Sequence, residues 1–203
     1  GWSLAVHAIG DLAVDHAVRS IVEAMDTYGR RSVPNRIEHA GTVHDEHLPT
    51  LAEYGIAVTP QAAFARDIGA GMNMSAGPDR RRLLYRARSF VDAGVMLAGS
   101  SDRPCADGNA LRGIQAFVDR LTSTGDVFGS AEECLTAEQA ITAYTRTAAE
   151  ASGHGAVKGT LTPGKLADLV VLGDDPLTVD PTTIKDIDVI ATIAGGDFTH
   201  STL

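Results

Sequence analysis

Four short apolar runs, each followed by apolar residues at helical spacing, constrain this chain more than any other feature. Residues 4–8 (Leu-Ala-Val-His-Ala) form the first run, closed by Gly10-Asp11. Val14, Ala17, Val18, Ile21, Val22 and Met25 then recur as one face of a helix, and Gly29 is a plausible stop. Residues 36–40 make a second run. Leu48, Leu51, Ala52 and Tyr54 form the helix face after it, ended by Gly55. Residues 56–59 make a third, closed by Pro60, and residues 95–98 a fourth, ending at Gly99-Ser100-Ser101-Asp102. Helical spacing is read over 83–93 and again through Leu111, Ile114, Phe117, Val118 and Leu121. Residues 69–78, rich in Gly, Met and Asn, read as a loop, either a lid or a loose connection. Buried strands alternating with amphipathic helices predict a parallel sheet with crossover helices.

The texture changes after the fourth unit. Thr136 and Gln139 form a capping-box pattern opening a helix that runs to about residue 151. Residues 168–172, 189–194 and 197–200 read as strands, and Gly195-Gly196 between the last two is a hairpin signal. The expected organisation is residues 1–158 as one α/β unit and 159–203 as a β-rich unit.

Three strand ends carry residues suited to a divalent metal. His7 and His39 lie 32 residues apart, about one βα unit, and Asp102 lies 63 beyond His39, about two. Imidazole and carboxylate are ligands for Zn²⁺ and related ions. A metal at such a point acidifies water and polarises a carbonyl.

Composition removes other function classes. The formal charge is −9, spread along the chain, whereas nucleic acid and anionic lipid both select basic surfaces. No apolar run reaches the roughly 18 residues of a membrane helix. No signal-peptide pattern opens the sequence. Cys105 and Cys134 are too few for a disulfide framework and fit a reducing compartment, so the expected location is the cytoplasm. The opening Gly-Trp-Ser-Leu-Ala-Val-His, apolar at once and without Met, reads as an internal segment of a longer polypeptide.

The motifs around the three residues sharpen the reading. Val6-His7-Ala8-Ile9-Gly10-Asp11, Arg36-Ile37-Glu38-His39-Ala40 and Gly99-Ser100-Ser101-Asp102-Arg103-Pro104 resemble, in order, the fifth-, sixth- and eighth-strand motifs of the amidohydrolase superfamily, in particular amidohydrolase family 3. The eighth-strand motif usually reads Gly-Ser-Asp-x-Pro, so one Ser is extra. Leu161-Thr-Pro-Gly-Lys-Leu-Ala-Asp-Leu-Val-Val-Leu172 resembles the segment by which such chains re-enter a small β-sandwich. The resemblance implies an α/β fold: the C-terminal half of a (β/α)8 TIM barrel, strands 5–8, plus part of that sandwich. It implies that His7, His39 and Asp102 are metal ligands, that Asp102 is also the general base, and that the cofactor is a divalent metal, zinc first, as one or two ions. The activity implied is hydrolysis of an amide or cyclic amide C–N bond in a small molecule, through water activated by the metal. The family's other ligands, a His-x-His pair and a bridging residue, often a carboxylated Lys, have no counterpart, and no His-x-His occurs in the sequence. The alternatives are a catalytically incomplete fragment, completed by a missing N-terminal half or by homo-oligomerisation, and a deaminase or isomerase using the same ligands.

Further candidates flank these positions. Gln61, just past the third strand, and Arg103, beside Asp102, are placed to reach a substrate. Asp11 is placed either to orient a ligand His from behind or to cap the first helix. Glu38 reads as an outward strand residue, His44 and His47 as the surface start of a helix, and Cys105 as packing.

Overall fold

The structure, a computed structural model, describes residues 2–203. β1 (Ala5–Ala8), β2 (Arg36–His39) and β3 (Ala57–Thr59) form a parallel sheet in that order. α1 (Asp11–Tyr28) crosses from β1 to β2, and α2 (His47–Tyr54) from β2 to β3. The apolar stripe of α1 is buried as its spacing requires, with Val14, Ala17, Val18, Ile21 and Met25 against Ile37, Leu51, Ile56 and Val58. Each of the Val, Ile, Leu and Met side chains among them stabilises the fold by roughly 1.5–3 kcal/mol on full burial. The register sets Ala8 beside His39 and His7 beside Glu38, so both candidate histidines lie at one end of the sheet.

The fourth run forms less strand than its composition predicts. Leu97 makes a single parallel bridge to Val58. The Val58 amide donates to Met96 O and the Ala98 amide to Val58 O, each at 2.9 Å. Beyond that step the chain is tied to a helix instead. The Gly99 amide donates to Ala143 O at 2.9 Å, and the Tyr144 hydroxyl to Ser100 O at 3.1 Å. A β-carbon on Gly99 would lie 2.5 Å from the Tyr144 ring, so only glycine allows this approach.

Residues expected as a loop are helical: α3 spans Phe64–Arg80, broken where Gly77 takes φ 70° ahead of Pro78. Tertiary contacts override the poor helix propensity of this segment. Gly69 packs where a β-carbon would meet Phe128 at 3.1 Å and Thr122 at 3.2 Å. Buried Asn73 donates to Val127 O and accepts from the Gly129 amide, both at 2.8 Å.

Elsewhere, single helices prove segmented. The pattern over 83–93 resolves into a 3-10 turn, Arg81–Leu83, and α4 (Ala87–Asp92), separated by Tyr85 at φ 46°. After α5 (Ala110–Asp119) comes α6 (Ala137–Tyr144), opened by the Thr136–Gln139 capping box. Thr145, at φ −118° and ψ −86°, divides it from α7 (Arg146–Ala151). β4 (Leu169–Leu172), β5 (Val189–Ala194) and β6 (Asp197–Ser201) form an antiparallel sheet, with the β5–β6 hairpin turning on Gly195 and Gly196 at positive φ. No described helix is long and apolar enough to cross a membrane.

Candidate functional site

The strand ends of β1 and β2 bring His7 and His39 together. His7 Nδ1 lies 2.9 Å from His39 Nε2, with ring centroids 4.5 Å apart and planes at 80°. His7 is exposed, whereas His39 is 6% exposed and stacks on Phe64, the first residue of α3, at 6.4 Å. His39 Nδ1 lies 2.6 Å from Gln61 Oε1, and Gln61 Nε2 donates to Thr59 O at 2.6 Å. Gln61 is therefore placed behind His39, with both ends of its amide engaged.

The backbone here is strained. His39 at φ 69° and Ala40 at φ 45° are consecutive non-glycine residues in the left-handed region, and Asp102 at φ 53° is a third. Each such residue costs on the order of 1–3 kcal/mol, a cost concentrated at functional sites. The turn after β2 is held from both sides: the Gly41 amide donates to Ala8 O at 3.4 Å, and the Tyr85 amide to Gly41 O at 2.9 Å. Ile9 packs on Gly41 so closely that a β-carbon there would meet it at 2.9 Å.

Asp102 is not drawn into this pair. It is exposed, in a turn closed by the Cys105 amide donating to Asp102 O at 2.8 Å. Among the described residues no three His, Cys, Asp or Glu side chains are grouped to hold a metal ion. Asp102 follows the weakly paired 95–98 segment, whose end is set by α6 rather than by a ladder with β3. Its charge nonetheless reaches Tyr85, whose hydroxyl pKa is pushed well up, first by burial and then by Asp102.

Asp11 begins α1 and accepts from the Leu12 amide at 2.9 Å. That bond, chiefly, holds its carboxyl below the usual range against the opposing effect of desolvation, and Arg80 at 3.4 Å and His44 at 3.7 Å add to it. Its recorded partners include neither His7 nor His39. Arg103 is exposed and lines a shallow groove with Asp67, Cys105, Asp107 and Asn109, a lining that does not include Gln61. A second groove is lined by Ile9, Thr42, Ile68, Met72 and Arg80. Glu38 accepts from Arg36 and Thr59, a role across the sheet that its strand position alone did not indicate.

Sequence patterns gave no sign of Tyr85 or Arg120. Arg120 is 2% exposed and donates to the carbonyls of Tyr85, Leu84 and Phe128 at 2.9, 3.0 and 3.0 Å. Burial lowers its pKa to about 10. It stands in the left-handed region after α5, where no motif marks it.

A parallel α/β sheet presenting histidines at the carboxyl ends of adjacent strands defines an α/β protein with a strand-end site. The chain belongs to the amidohydrolase family, whose model matches residues 1–200. It is 31% identical over 197 residues to an N-substituted formamide deformylase of Arthrobacter pascens, covering 97% of this chain and 36% of that protein. It is 29% identical over 203 residues to the putative amidohydrolase YtcJ of Bacillus subtilis (strain 168), covering 98% of this chain and 38% of that one. Among solved structures, an uncharacterized metal-dependent hydrolase from Pyrococcus horikoshii OT3 matches with a TM-score of 0.74 at 27% identity, over 89% of this chain and 36% of that chain. The chain thus spans a little over a third of the length of these relatives.

Proposed function

We propose that this chain supplies part of the active site of a metal-dependent hydrolase that cleaves an amide or cyclic amide C–N bond. The observation that carries the reading is the His7–His39 pair: two imidazole nitrogens converging at one point, 2.9 Å apart, on adjacent strand ends. Two nitrogens sharing a four-coordinate zinc at about 2.05 Å each would stand about 3.3 Å apart, so a small opening of the pair accommodates the ion. The donor set fits zinc or a related divalent cation. Two relatives, an N-substituted formamide deformylase and a metal-dependent hydrolase, support the same chemistry.

In this reading His7 and His39 would hold the cation, with Asp102 as a further ligand. A divalent ion so bound supplies water acidified toward neutral pH and a polarised carbonyl. Asp102 takes the proton of the attacking water and returns it to the nitrogen of the leaving amine. Arg103, on its exposed groove, contacts the substrate beyond the scissile bond. The fold completing this site is the C-terminal half of a TIM barrel in residues 1–158, with residues 159–203 adding strands to a small β-sandwich. N-substituted formamides are the first substrates to test. In the intact protein, Asp102→Asn is expected to lower turnover at least 100-fold on a panel of formamides and cyclic amides. Unchanged turnover with full metal occupancy would sink the role given to Asp102.

A second reading has its own support. With no three-ligand cluster among the described residues, the 203-residue chain alone is catalytically incomplete and depends on an N-terminal half or on a second copy. Metal analysis with size-exclusion chromatography separates the two. A monomeric chain holding stoichiometric metal and turning over substrate would refute incompleteness.

A further inference from the structure

Gln61 is 1% exposed, and the partners of its amide fix which way it points. The Thr59 carbonyl oxygen, 2.6 Å from one end, can only accept, so that end is the NH2 group. Oε1 therefore faces His39 Nδ1 at 2.6 Å, and an amide oxygen also only accepts. The hydrogen between them belongs to His39 Nδ1. A neutral imidazole carries one N–H, which leaves the lone pair on Nε2, the nitrogen turned toward His7.

We infer that Gln61 is a positioning residue that locks His39 in its Nδ1–H form and thereby presents the Nε2 lone pair to a cation shared with His7. The part of this inference that concerns the cation rests on the function proposed above; the tautomer itself does not. Three features make the lock rigid. Thr59 ends β3, and Pro60, without an N–H, carries the chain directly to Gln61, so the amide reaches back to its own strand. The His39 ring is stacked on Phe64, and its backbone is fixed in the left-handed region. Ligand orientation by a hydrogen bond on the far ring nitrogen is the general means of fixing a metal-binding imidazole.

The lock has a consequence for His7. With His39 Nε2 as acceptor, His7 Nδ1–H is the donor across the 2.9 Å gap. Taking up a cation at this point requires that hydrogen to leave Nδ1 for Nε2, by exchange with solvent, and His7 is exposed enough to allow it. Cation uptake thus changes the tautomer of His7 and leaves that of His39 alone.

The test uses the metal-free intact protein labelled with 15N-histidine, the His39 resonances being assigned by their loss in His39→Asn. The wild type should show His39 protonated at Nδ1 and bare at Nε2. Gln61→Glu keeps an acceptor toward His39, though it loses the donor to Thr59 O, and should keep Nδ1 of His39 protonated. Gln61→Met matches the shape without an acceptor; it should lose the pattern and weaken zinc binding by roughly 10–100-fold in a chelator competition. A wild-type His39 protonated at Nε2 overturns the inference. So does a folded Gln61→Met protein with unaltered tautomer and zinc affinity. Should Gln61→Met fail to fold, the wild-type and Gln61→Glu spectra decide. An Nδ1–H His39 in a protein that takes up no zinc would confirm the lock while removing the metal-hydrolase reading.

Discussion

His7 and His39 meet edge to face at the ends of adjacent parallel strands, 32 residues apart in sequence and 2.9 Å apart in space. This contact is the pivot of the proposed metal site, and it yields the first prediction. Zinc at about 100 times its Kd should raise the unfolding free energy of the intact protein by about 2.7 kcal/mol. A chelator should reverse the gain, and His39→Ala should abolish it. Thermal unfolding with and without zinc measures all three.

Arg120 holds three carbonyl oxygens from a site that is almost fully buried. Arg120→Met should destabilise the fold by about 3 kcal/mol or more, because those acceptors lose their donor. Arg120→Lys should recover little, since an ammonium cannot reproduce the planar fork. Urea midpoints of the two variants decide the matter. A midpoint for Arg120→Met equal to wild type would show the network to be dispensable.

Among the described residues, the buried Tyr85 hydroxyl finds no hydrogen-bond partner. A buried hydroxyl left unpaired costs on the order of 1–3 kcal/mol. Tyr85→Phe keeps the ring between Phe64 and Phe128 and should raise stability by about 1 kcal/mol. A lower melting temperature in this variant would reveal an unseen partner for the hydroxyl.

Cys105 is exposed and Cys134 half-buried, both free. Burial pushes the Cys134 thiol pKa up, so less of it is thiolate at any given pH. A thiol reagent at pH 8 should modify Cys105 in a fast phase and Cys134 in a slow one. Mass spectrometry of timed samples assigns the phases, and simultaneous labelling would contradict the burial of Cys134.

Asp45 pairs with the buried Arg86 at 2.7 Å and with Arg82 at 3.1 Å. Hydrogen bonds from Arg86, then Arg82, hold its carboxyl below the usual range. A lowered carboxylate stabilises the fold above its unfolded pKa near 3.8, and that contribution vanishes as pH falls through the folded value. Asp45→Asn should therefore lower the melting temperature at pH 7, and the deficit should shrink as pH falls below about 3.8. The effect will be modest because the carboxyl is largely exposed.

What was legible depended on locality. The α1 stripe, the β1 and β2 strands, the capping box of α6 and the Gly195-Gly196 hairpin all arise from neighbours in sequence, and each was readable. The helical course of α3 was not, because Gly69 and Asn73 owe their places to Phe128, Val127 and Gly129, over 50 residues on. The division of α6 from α7 at Thr145 was likewise invisible to periodicity.

The candidate site divides in the same way. Sequence by itself determined that His7 and His39 end successive strands of a parallel sheet, since strand and helix periods fix that spacing. It also determined the amidohydrolase family, through motifs in order. Only the tertiary structure decided that Gln61 lies behind His39 and that Asp11 turns to Arg80 and His44. It alone left Asp102 exposed at the end of a weakly paired segment and buried Arg120 beneath Tyr85. The physical reason is direction. A spacing pattern places a residue on an element, but the bond its side chain makes depends on partners that only the packed chain brings within reach.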